Sequence, residues 1–439
     1  MKVANQILRT LACCVLLSLS LNAQAQTVDL TRYLLRLDVD FAGTRQDTFA
    51  AAPGRAVLSF EGRADRIAVT LNGRSVQAGD VTLQADNAIG ITGAAAAPLR
   101  IRITQSADVA LEVLSRIHFN TNVSDFEAAR EFYGTLGFET LSGFPDANTV
   151  AMAQAIGVAE PTSYDGSRGG EAGGYLLHGE LIGLGFNRGI IDLIEFTIPR
   201  NEEPPYAKLN RLGMARAVFE TADIDSDYET LAAKDVRFLS APAQRAVGTR
   251  FAILQDLDGT FYELRQVEAD VDEEAPTRLH RVGAVVINVS DLPRSLAWYR
   301  MLGFEPTGNL APTESLAVAE AMGFDAPFEI RGSVLTHRAD GSQIELVEWL
   351  QPFDPRPPYP LPINHLGIHR MAFTSGDIEG DVAQLEAQGV AMISPITPCC
   401  SGPDAWGSIV AFRDPDGTVL ELAEMPGMAW LQRFMNLFN

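Results

Sequence analysis

From residue 113 onward, hydrophobic and polar positions follow a repeating order of strand, helix and several strands. The run 116–123 predicts a strand, Asp125 is a suitable helix cap, and Phe132 and Tyr133 recur at helical spacing before Gly137 ends the helix. Because the same order returns along the chain, we predict four strand–helix–strands units. They span roughly 113–200, 211–267, 279–350 and 365–425.

Short motifs recur at matching places in these units, so the chain contains a long internal repeat. Each motif falls where a strand or helix of the predicted order begins or ends, which indicates that the copies share one local fold. The repeated motifs are V-S-D (123–125 and 289–291), L-G-F-E (136–139 and 302–305), N-x-L-G (210–213 and 364–367) and D-G-T-x-x-E-L (258–264 and 416–422).

Residues 26–112 have a different pattern, with short alternating runs such as 56–60, 67–71 and 99–103. Turn signals, including Asn72-Gly73, separate these runs, and helical periodicity is nearly absent. The pattern predicts a small β-sandwich. A packing or spacer role is favoured over partner binding, because no aromatic residues cluster in this segment.

The segment 1–25 is typical of an export signal, with a basic start, an apolar run too short to cross a bilayer and small residues before position 26. We therefore expect an exported protein, periplasmic or secreted, with no integral membrane segment after signal cleavage. Further along, 268–278 predicts an acidic linker and 427–439 a carboxy-terminal amphipathic helix. Cys399 and Cys400 are the cysteines left after cleavage. Two free thiols in a surface loop are favoured over a redox or metal pair, and the sequence does not determine their state.

The formal net charge of −22 narrows the choice of partner. A nucleic-acid-binding protein needs a basic surface, so DNA and RNA are excluded as expected partners. With 46% hydrophobic and 21% charged residues the chain is ordinary for a globular protein, which leaves a small-molecule substrate or ligand. The sequence indicates no oligomeric state.

The repeated motifs give the chain a resemblance to the vicinal-oxygen-chelate (VOC) superfamily, which includes glyoxalase I, extradiol dioxygenases and the fosfomycin- and bleomycin-resistance proteins. The resemblance implies an α+β fold with two tandem VOC domains, at 113–267 and 279–426. Each domain would consist of two βαβββ modules that form a cupped sheet. The all-β domain at 26–112 lies outside the resemblance.

In the family, a metal is held by four strand positions per pair of modules, and these positions can be carried onto this chain. The first pair gives His118, Asp192, Arg216 and Glu263. The resemblance then implies one divalent metal, iron, manganese or zinc, held by His118, Asp192 and Glu263 in the first domain, with Arg216 as the catalytic residue that orients an anionic substrate. No metal is expected in the second domain, where the four positions are Ala284, Glu345, Arg370 and Glu421.

Strand alternation places Glu263 and Glu421 towards the cups, where a carboxylate needs a compensating partner. A metal or an arginine can supply it, and two functions therefore stay open. One is a metal-dependent lyase, isomerase or dioxygenase that acts on a small oxygenated molecule in the first domain. The alternative is a metal-free ligand-binding protein in which Arg–Glu pairs replace the metal sites. The candidate substrate-binding residues are His178, Arg370, Glu345 and Glu421.

Overall fold

The structure is a computed structural model that forms two compact units. The first contains the described residues before 111 together with Leu296–Met301 and Ala387–Gly389, and the second contains the rest. The residues described are 35–41, 45–50, 54–61, 67–84, 86–93, 99–105, 111–185, 188–270, 275–399, 405, 407–425 and 427–436. The predicted export signal and Cys400 therefore lie outside the described residues.

The first unit contains two four-stranded antiparallel sheets, in the orders β1-β8-β3-β6 and β2-β7-β4-β5. Inward residues of both sheets, such as Leu58, Ile89 and Ile101, share one hydrophobic core. This is the predicted β-sandwich. Its strands are β1 (Leu35–Phe41), β2 (Arg45–Ala50), β3 (Gly54–Glu61), β4 (Ala68–Leu71), β5 (Arg74–Ser75), β6 (Gly79–Leu83), β7 (Asp86–Thr92) and β8 (Leu99–Gln105).

The remaining strands and helices form four βαβββ modules, as the repeat predicts. The first two modules contain β9 (Val113–Asn122), α1 (Phe126–Thr135), β10 (Glu139–Gly143), α2 (Val150–Ala155), β11 (Leu176–Gly183) and β12 (Ile190–Ile198), then β13 (Gly213–Thr221), α3 (Ile224–Ala232), β14 (Arg237–Phe238), β15 (Ala243–Gln244), β16 (Arg250–Gln255) and β17 (Phe261–Gln266). The last two contain β18 (Leu279–Asn288), α4 (Leu292–Met301), β19 (Phe304–Asn309), α5 (Leu316–Ala321), β20 (Glu329–His337) and β21 (Gln343–Gln351), then β22 (Gly367–Ser375), α6 (Ile378–Ala387), β23 (Thr397–Cys399), β24 (Gly407–Arg413) and β25 (Val419–Glu424).

The first helix of the repeat shows how local sequence produces these elements. Asp125 has extended backbone angles, and its carboxylate accepts a hydrogen bond from the backbone N–H of Ala128, which caps α1. Ala129, Phe132 and Tyr133 lie on the buried face of the helix. Gly137 follows at φ +100°, a conformation that glycine adopts without strain, and turns the chain into β10.

The strand pairing corrects one part of the predicted architecture. We expected each cup to form from modules that are adjacent in sequence. Instead β9 pairs with β22, so the first and fourth modules form one sheet, β10-β11-β12-β9-β22-β25-β24-β23. Likewise β13 pairs with β18, and the second and third modules form the other. We call the concave side of the first sheet cup A and that of the second cup B.

Two loops carry the chain from one sheet to the other, and they contact each other. The loop between β12 and β13 contains Pro204-Pro205-Tyr206, and the loop between β21 and β22 contains Pro357-Pro358-Tyr359. The Tyr206 and Tyr359 rings stack with centroids 4.1 Å apart. The backbone N–H of each tyrosine donates to the hydroxyl of the other, at 2.9 and 3.2 Å. These contacts hold the two loops together, and we call them the tyrosine lock.

The carboxy-terminal helix α7 (Met428–Met435) lies within the predicted segment 427–439. Its Trp430 side chain is exposed. None of the helices in the described part of the chain has the length and apolarity required to cross a membrane.

Candidate functional site

Cup A gathers polar side chains from four neighbouring strands. His118 and Asn120 lie on β9, Asp192 on β12, Arg370 on β22 and Glu421 on β25. The register explains the gathering, because Asp192 is paired with Asn120 and Glu421 with Ala372, two residues after Arg370. Residues two apart on a strand share a face, so all these side chains enter the same cup.

Arg370 bonds to three of its neighbours. Its Nη1 donates to Glu421 Oε2 at 2.6 Å, and its Nη2 donates to Asp192 Oδ2 at 3.3 Å. Its Nε donates to Asn120 Oδ1 at 2.8 Å, and the Asn120 amide in turn donates to Asp192 Oδ2. Every guanidinium nitrogen therefore has a partner, and the two buried carboxylates share one cation.

Two polar atoms at this place have no hydrogen-bond partner among the described residues, and these are Asp192 Oδ1 and His118 Nδ1. His118 Nδ1 lies 3.9 Å from Asp192 Oδ2, which is too long for a hydrogen bond. Asp192 is only 4% exposed. A buried carboxylate oxygen without a partner is costly, so this pair of atoms is the least satisfied part of cup A.

Burial shifts the pKa values of Asp192, Glu421 and His118. Burial, opposed by the charge of Arg370, raises the pKa of the Asp192 carboxyl to about 7. It also raises the pKa of Glu421 above its ordinary value, again against Arg370. Burial and the charge of Arg370 lower the pKa of His118 to about 3, so His118 is neutral at neutral pH.

These side chains line a cavity of about 920 Å³. This volume is ample for a small organic ligand. Apolar and aromatic residues form much of the wall near the polar group, and Arg188 and Arg281 lie elsewhere on the same lining. The apolar and aromatic lining residues include Phe144, Met152, Ile156, Tyr175, Ile194 and Phe196.

Cup B holds a denser ion network. Glu263 is fully buried and bonds to Arg216 at 2.8 Å, to Arg245 at 3.0 Å and to Arg265 at 2.8 Å. Arg265 also bonds to Glu345 at 2.5 Å. Burial alone would raise the pKa of Glu263, but the three guanidinium groups lower it well below the ordinary value. The carboxylates of Glu263 and Glu345 thus find their cationic partners within the network itself.

Among the described residues, arginine side chains occupy the interior of cup B where cup A has a cavity, and a comparison of equivalent strand positions shows why. The registers of β15, β16 and β17 in one sheet and of β23, β24 and β25 in the other make Arg265 the equivalent of Ala423 and Arg245 the equivalent of Cys399. Each arginine therefore enters cup B at a position where cup A carries a small side chain. Both cups also contain a buried apolar cluster, which in cup B includes Phe251, Val318, Met322, Phe324, Phe328 and Trp349, so the two arginines are the difference between the cups.

The predicted metal-ligand set is not assembled. His118 and Asp192 do lie together in cup A, but Glu263 lies in the other sheet and is bonded to arginines in cup B. The grouping of these three residues is therefore wrong. It fails because β17 lies in the sheet of β13 and β18, whereas β9 and β12 lie in the sheet of β22 and β25.

Arg216 also departs from its predicted place. It is 4% exposed and bonded to Glu263 in cup B, so it does not join His118 and Asp192 to orient a substrate. The residue that occupies the equivalent position in cup A is Arg370, from the fourth module. The sequence therefore predicts an arginine at this position correctly but assigns the wrong one to the site.

The predicted substrate-binding residues divide between the two cups and the surface. Arg370 and Glu421 line the cavity of cup A. Glu345 is buried in cup B and bonded to Arg265, and is absent from the cavity lining. His178 is exposed and stacks on Phe126 with ring centroids 3.9 Å apart, so it does not face a cup.

The side chains of cup A do not fit a divalent metal. Among the described residues, no group of three or more His, Cys, Asp or Glu side chains is arranged to hold a metal ion. Arg370 stands at the position of one family ligand, where a guanidinium offers no lone pair to a metal. It also donates to Asp192 Oδ2 and Glu421 Oε2, so these two carboxylate oxygens are already engaged. No metal-dependent step can be derived from this arrangement.

Three residues that shape the cups escaped prediction, and these are Asn120, Arg245 and Arg265. Asn120 lies two residues after His118, so strand periodicity could have placed it on the same face. Arg265 could have been found in the same way, two residues after Glu263. Arg245 lies next to a two-residue strand that has no clear periodic signal.

The expectation of free thiols is also wrong for Cys399. This residue is 2% exposed and disulfide-bonded, and its partner lies outside the described residues. It contributes to the lining of the cup A cavity.

Comparison with known proteins settles the family. The family model described as the Glyoxalase/Bleomycin resistance protein/Dioxygenase superfamily matches residues 116–264 and 281–422, more than half of the chain. The chain belongs to this superfamily. The matched ranges coincide with the two VOC segments predicted from sequence, and the α+β fold of cupped βαβββ modules is confirmed. No curated protein matched the sequence.

The solved structures to which this chain is similar include a glyoxalase I and a putative dioxygenase. Glyoxalase I from Zea mays is 17% identical with a TM-score of 0.48, over 72% of this chain and 95% of the maize chain. A putative dioxygenase from Bacillus subtilis is 14% identical with a TM-score of 0.46, over 74% of this chain and 91% of the other. These values establish neither activity nor ligand.

Proposed function

We propose that this protein is a metal-free, small-molecule-binding member of the superfamily and that cup A is its binding site. One observation carries the proposal: cup A keeps a cavity of about 920 Å³ whose lining includes the ion group in which Arg370 takes a family ligand position. The guanidinium supplies one positive charge to the two buried carboxylates. Cup B, with its filled interior, serves as structural support for the fold.

The cavity also indicates what kind of molecule it takes. Aromatic and aliphatic side chains on its wall favour an apolar body, and a few polar groups in one place fix the orientation, as is usual for small-molecule sites. Burial of the apolar ligand surface would supply most of the binding free energy.

An enzymatic role is the second candidate, and the state of Asp192 favours it. Its carboxyl has a pKa of about 7 and lines the cavity beside the neutral His118. A group whose pKa lies near the working pH is suited to proton transfer, so a lyase or isomerase reaction on a small oxygenated molecule fits this site. The described side chains of cup A do not form a metal-ligand set, so they give no comparable support to a metal-dependent dioxygenase.

Export to the periplasm or the medium is part of the same proposal. The signal-like composition of segment 1–25 supports it. The disulfide of Cys399 supports it as well, because disulfides persist mainly in oxidising compartments.

The test combines metal analysis with a neutral apolar probe, N-phenyl-1-naphthylamine, whose fluorescence rises in an apolar site. We expect no stoichiometric iron, manganese or zinc in the purified protein, and saturable probe binding. Ala423→Arg gives cup A the arginine that fills cup B at Arg265, and should abolish probe binding while the protein stays folded. Ala241→Arg, at an exposed position, is the matched control and should bind like the wild type.

Two results would overturn the proposal. One is about one metal ion per chain that is lost in His118→Ala, which would restore the metal-dependent enzyme. The other is probe binding that is equal in Ala423→Arg and in the wild type, which would place the binding site outside cup A.

A further inference from the structure

The unsatisfied atoms of cup A define the chemistry that is missing from it. Asp192 Oδ1 is a buried hydrogen-bond acceptor without a partner among the described residues, and it belongs to a residue that lines the cavity. His118 Nδ1 is also without a partner. Since a carboxylate oxygen can only accept, a ligand that satisfies it must donate a hydrogen bond.

A comparison of the charged side chains in the two cups also favours a ligand that carries a positive charge. Cup B sets three guanidinium groups against the carboxylates of Glu263 and Glu345. In cup A, Arg370 is the only cationic side chain of the described residues that bonds to Asp192 or Glu421, and His118 is neutral. Cup A is therefore short of positive charge when both acids are ionised.

Arg370 already uses three of its five N–H groups within the ion group. Its Nε, Nη1 and Nη2 atoms already donate to Asn120, Glu421 and Asp192, respectively. An anion brought against Asp192 and Glu421 would be repelled by both. A cationic donor at the same place would complete the ion group.

We infer that cup A binds a primary amine, with the ammonium group bonded to Asp192 beside His118 and the apolar body in the cavity. This inference rests on the proposed function and specifies its ligand class. The aromatic lining residues Phe144, Tyr175 and Phe196 suit an aromatic or aliphatic body, and aromatic faces also attract an ammonium group.

The site predicts a pH dependence for amine binding. The groups around Asp192 are His118 and Asn120 on β9, Arg370 on β22, Glu421 on β25 and Tyr175 before β11. With its pKa of about 7, Asp192 is mostly ionised at pH 8 and mostly protonated at pH 6. An amine that stays protonated in this range should bind about tenfold more weakly at pH 6 than at pH 8.

The experiment is isothermal titration of the full chain with three probes of one shape, 2-phenylethylamine, 2-phenylethanol and 3-phenylpropionate. We expect the amine to bind about tenfold or more tightly than the alcohol, and the carboxylate to bind most weakly. Asp192→Asn should weaken amine binding by about tenfold and leave alcohol binding within about threefold. Asp225→Asn removes the same charge from an exposed position and should change neither.

Thermal unfolding of each variant shows whether it is folded, and Ala423→Arg provides a second variant that places a cation in the cup. It should remove amine binding. Equal affinity for amine and alcohol, or amine binding that is unchanged in Asp192→Asn, would overturn the amine inference. Tightest binding of 3-phenylpropionate would instead assign the ligand charge to Arg188 and Arg281 on the same lining.

The outcome separates this inference from the proposed function. If N-phenyl-1-naphthylamine binds in cup A but the amine shows no preference, only the amine inference fails. If neither that probe nor the three phenyl compounds bind, the proposed function fails with it.

Discussion

Arg370 and Arg216 occupy equivalent positions in the two cups, yet one cup contains a cavity and the other an ion network. In cup B, Arg245 and Arg265 complete the charge of Glu263 and fill the space. In cup A the corresponding places carry Cys399 and Ala423, and a cavity remains. The difference between arginines and smaller residues at these two positions thus explains why cup A has a cavity and cup B has an ion network.

His118 gives a stability prediction at the residue scale. Its folded pKa of about 3 lies below the ordinary value of 6.5, so the unfolded chain takes up a proton more readily as the pH falls below about 6.5. The wild type should therefore lose stability relative to His118→Gln by about 1–2 kcal/mol between pH 7.5 and pH 5. Denaturant unfolding at both pH values measures it. His178→Gln, at an exposed position, should parallel the wild type.

Glu263 gives a second residue-scale prediction. It is fully buried among three arginines, so Glu263→Gln leaves their charges without their main partner. We expect a loss of about 3–5 kcal/mol in the free energy of unfolding. Asp225→Asn breaks an exposed ion pair with Arg250 and should cost less than about 1 kcal/mol. Equal losses in the two variants would show that the cup B network does not stabilise the fold.

The elements of the repeat could largely be predicted from the sequence, because their signals are local. A capping Asp125, an aromatic helix face and a glycine turn each act within about ten residues. Equivalent strand positions were also predictable, since strand alternation fixes which side chains share a face. Short strands such as β15 escaped, because two residues carry no periodic pattern.

The crossing loops are elements in their own right, and their Pro-Pro-Tyr repeat was a missed signal. Gly213 and Gly367, which start β13 and β22, adopt φ values of +99° and +101°. A Cβ on Gly213 would lie 2.9 Å from the Tyr206 hydroxyl, and one on Gly367 would lie 3.1 Å from that of Tyr359. The repeated Leu-Gly of the sequence is thus required by close packing against the loops.

Removal of one hydroxyl tests the tyrosine lock. In Tyr206→Phe the backbone N–H of Tyr359 loses its acceptor, and in Tyr359→Phe the reverse occurs. Because these donors are buried, each substitution should lower the free energy of unfolding by about 1–3 kcal/mol. Tyr228→Phe, on the half-buried face of α3, is the control and should have little effect. A similar effect in all three variants would contradict the tyrosine lock.

At the scale of the whole molecule, the sequence could not determine which modules share a sheet. Each module has the same order of elements, so both pairings satisfy the same hydrophobic pattern. The pairing depends on contacts between strands that are far apart in sequence, such as β9 with β22. Because the composition of the site depends on this pairing, the sequence-based prediction grouped His118 and Asp192 with Arg216 and Glu263. In the structure they lie with Arg370 and Glu421.

This pairing is the claim on which the site depends, and a designed disulfide tests it most directly. Ser115 Oγ and Thr374 Oγ1 lie 2.9 Å apart across β9 and β22, so cysteines at these two positions are within bonding reach. Glu220 occupies the place in β13 that Thr374 has in β22, and it would face Ser115 if sequence-adjacent modules shared a sheet.

The measurement is peptide mapping by mass spectrometry of the oxidised full-length double variants. Ser115→Cys with Thr374→Cys should form the new disulfide in high yield, and Ser115→Cys with Glu220→Cys should form none. A link between positions 115 and 220, with none between 115 and 374, would contradict the account of both cups.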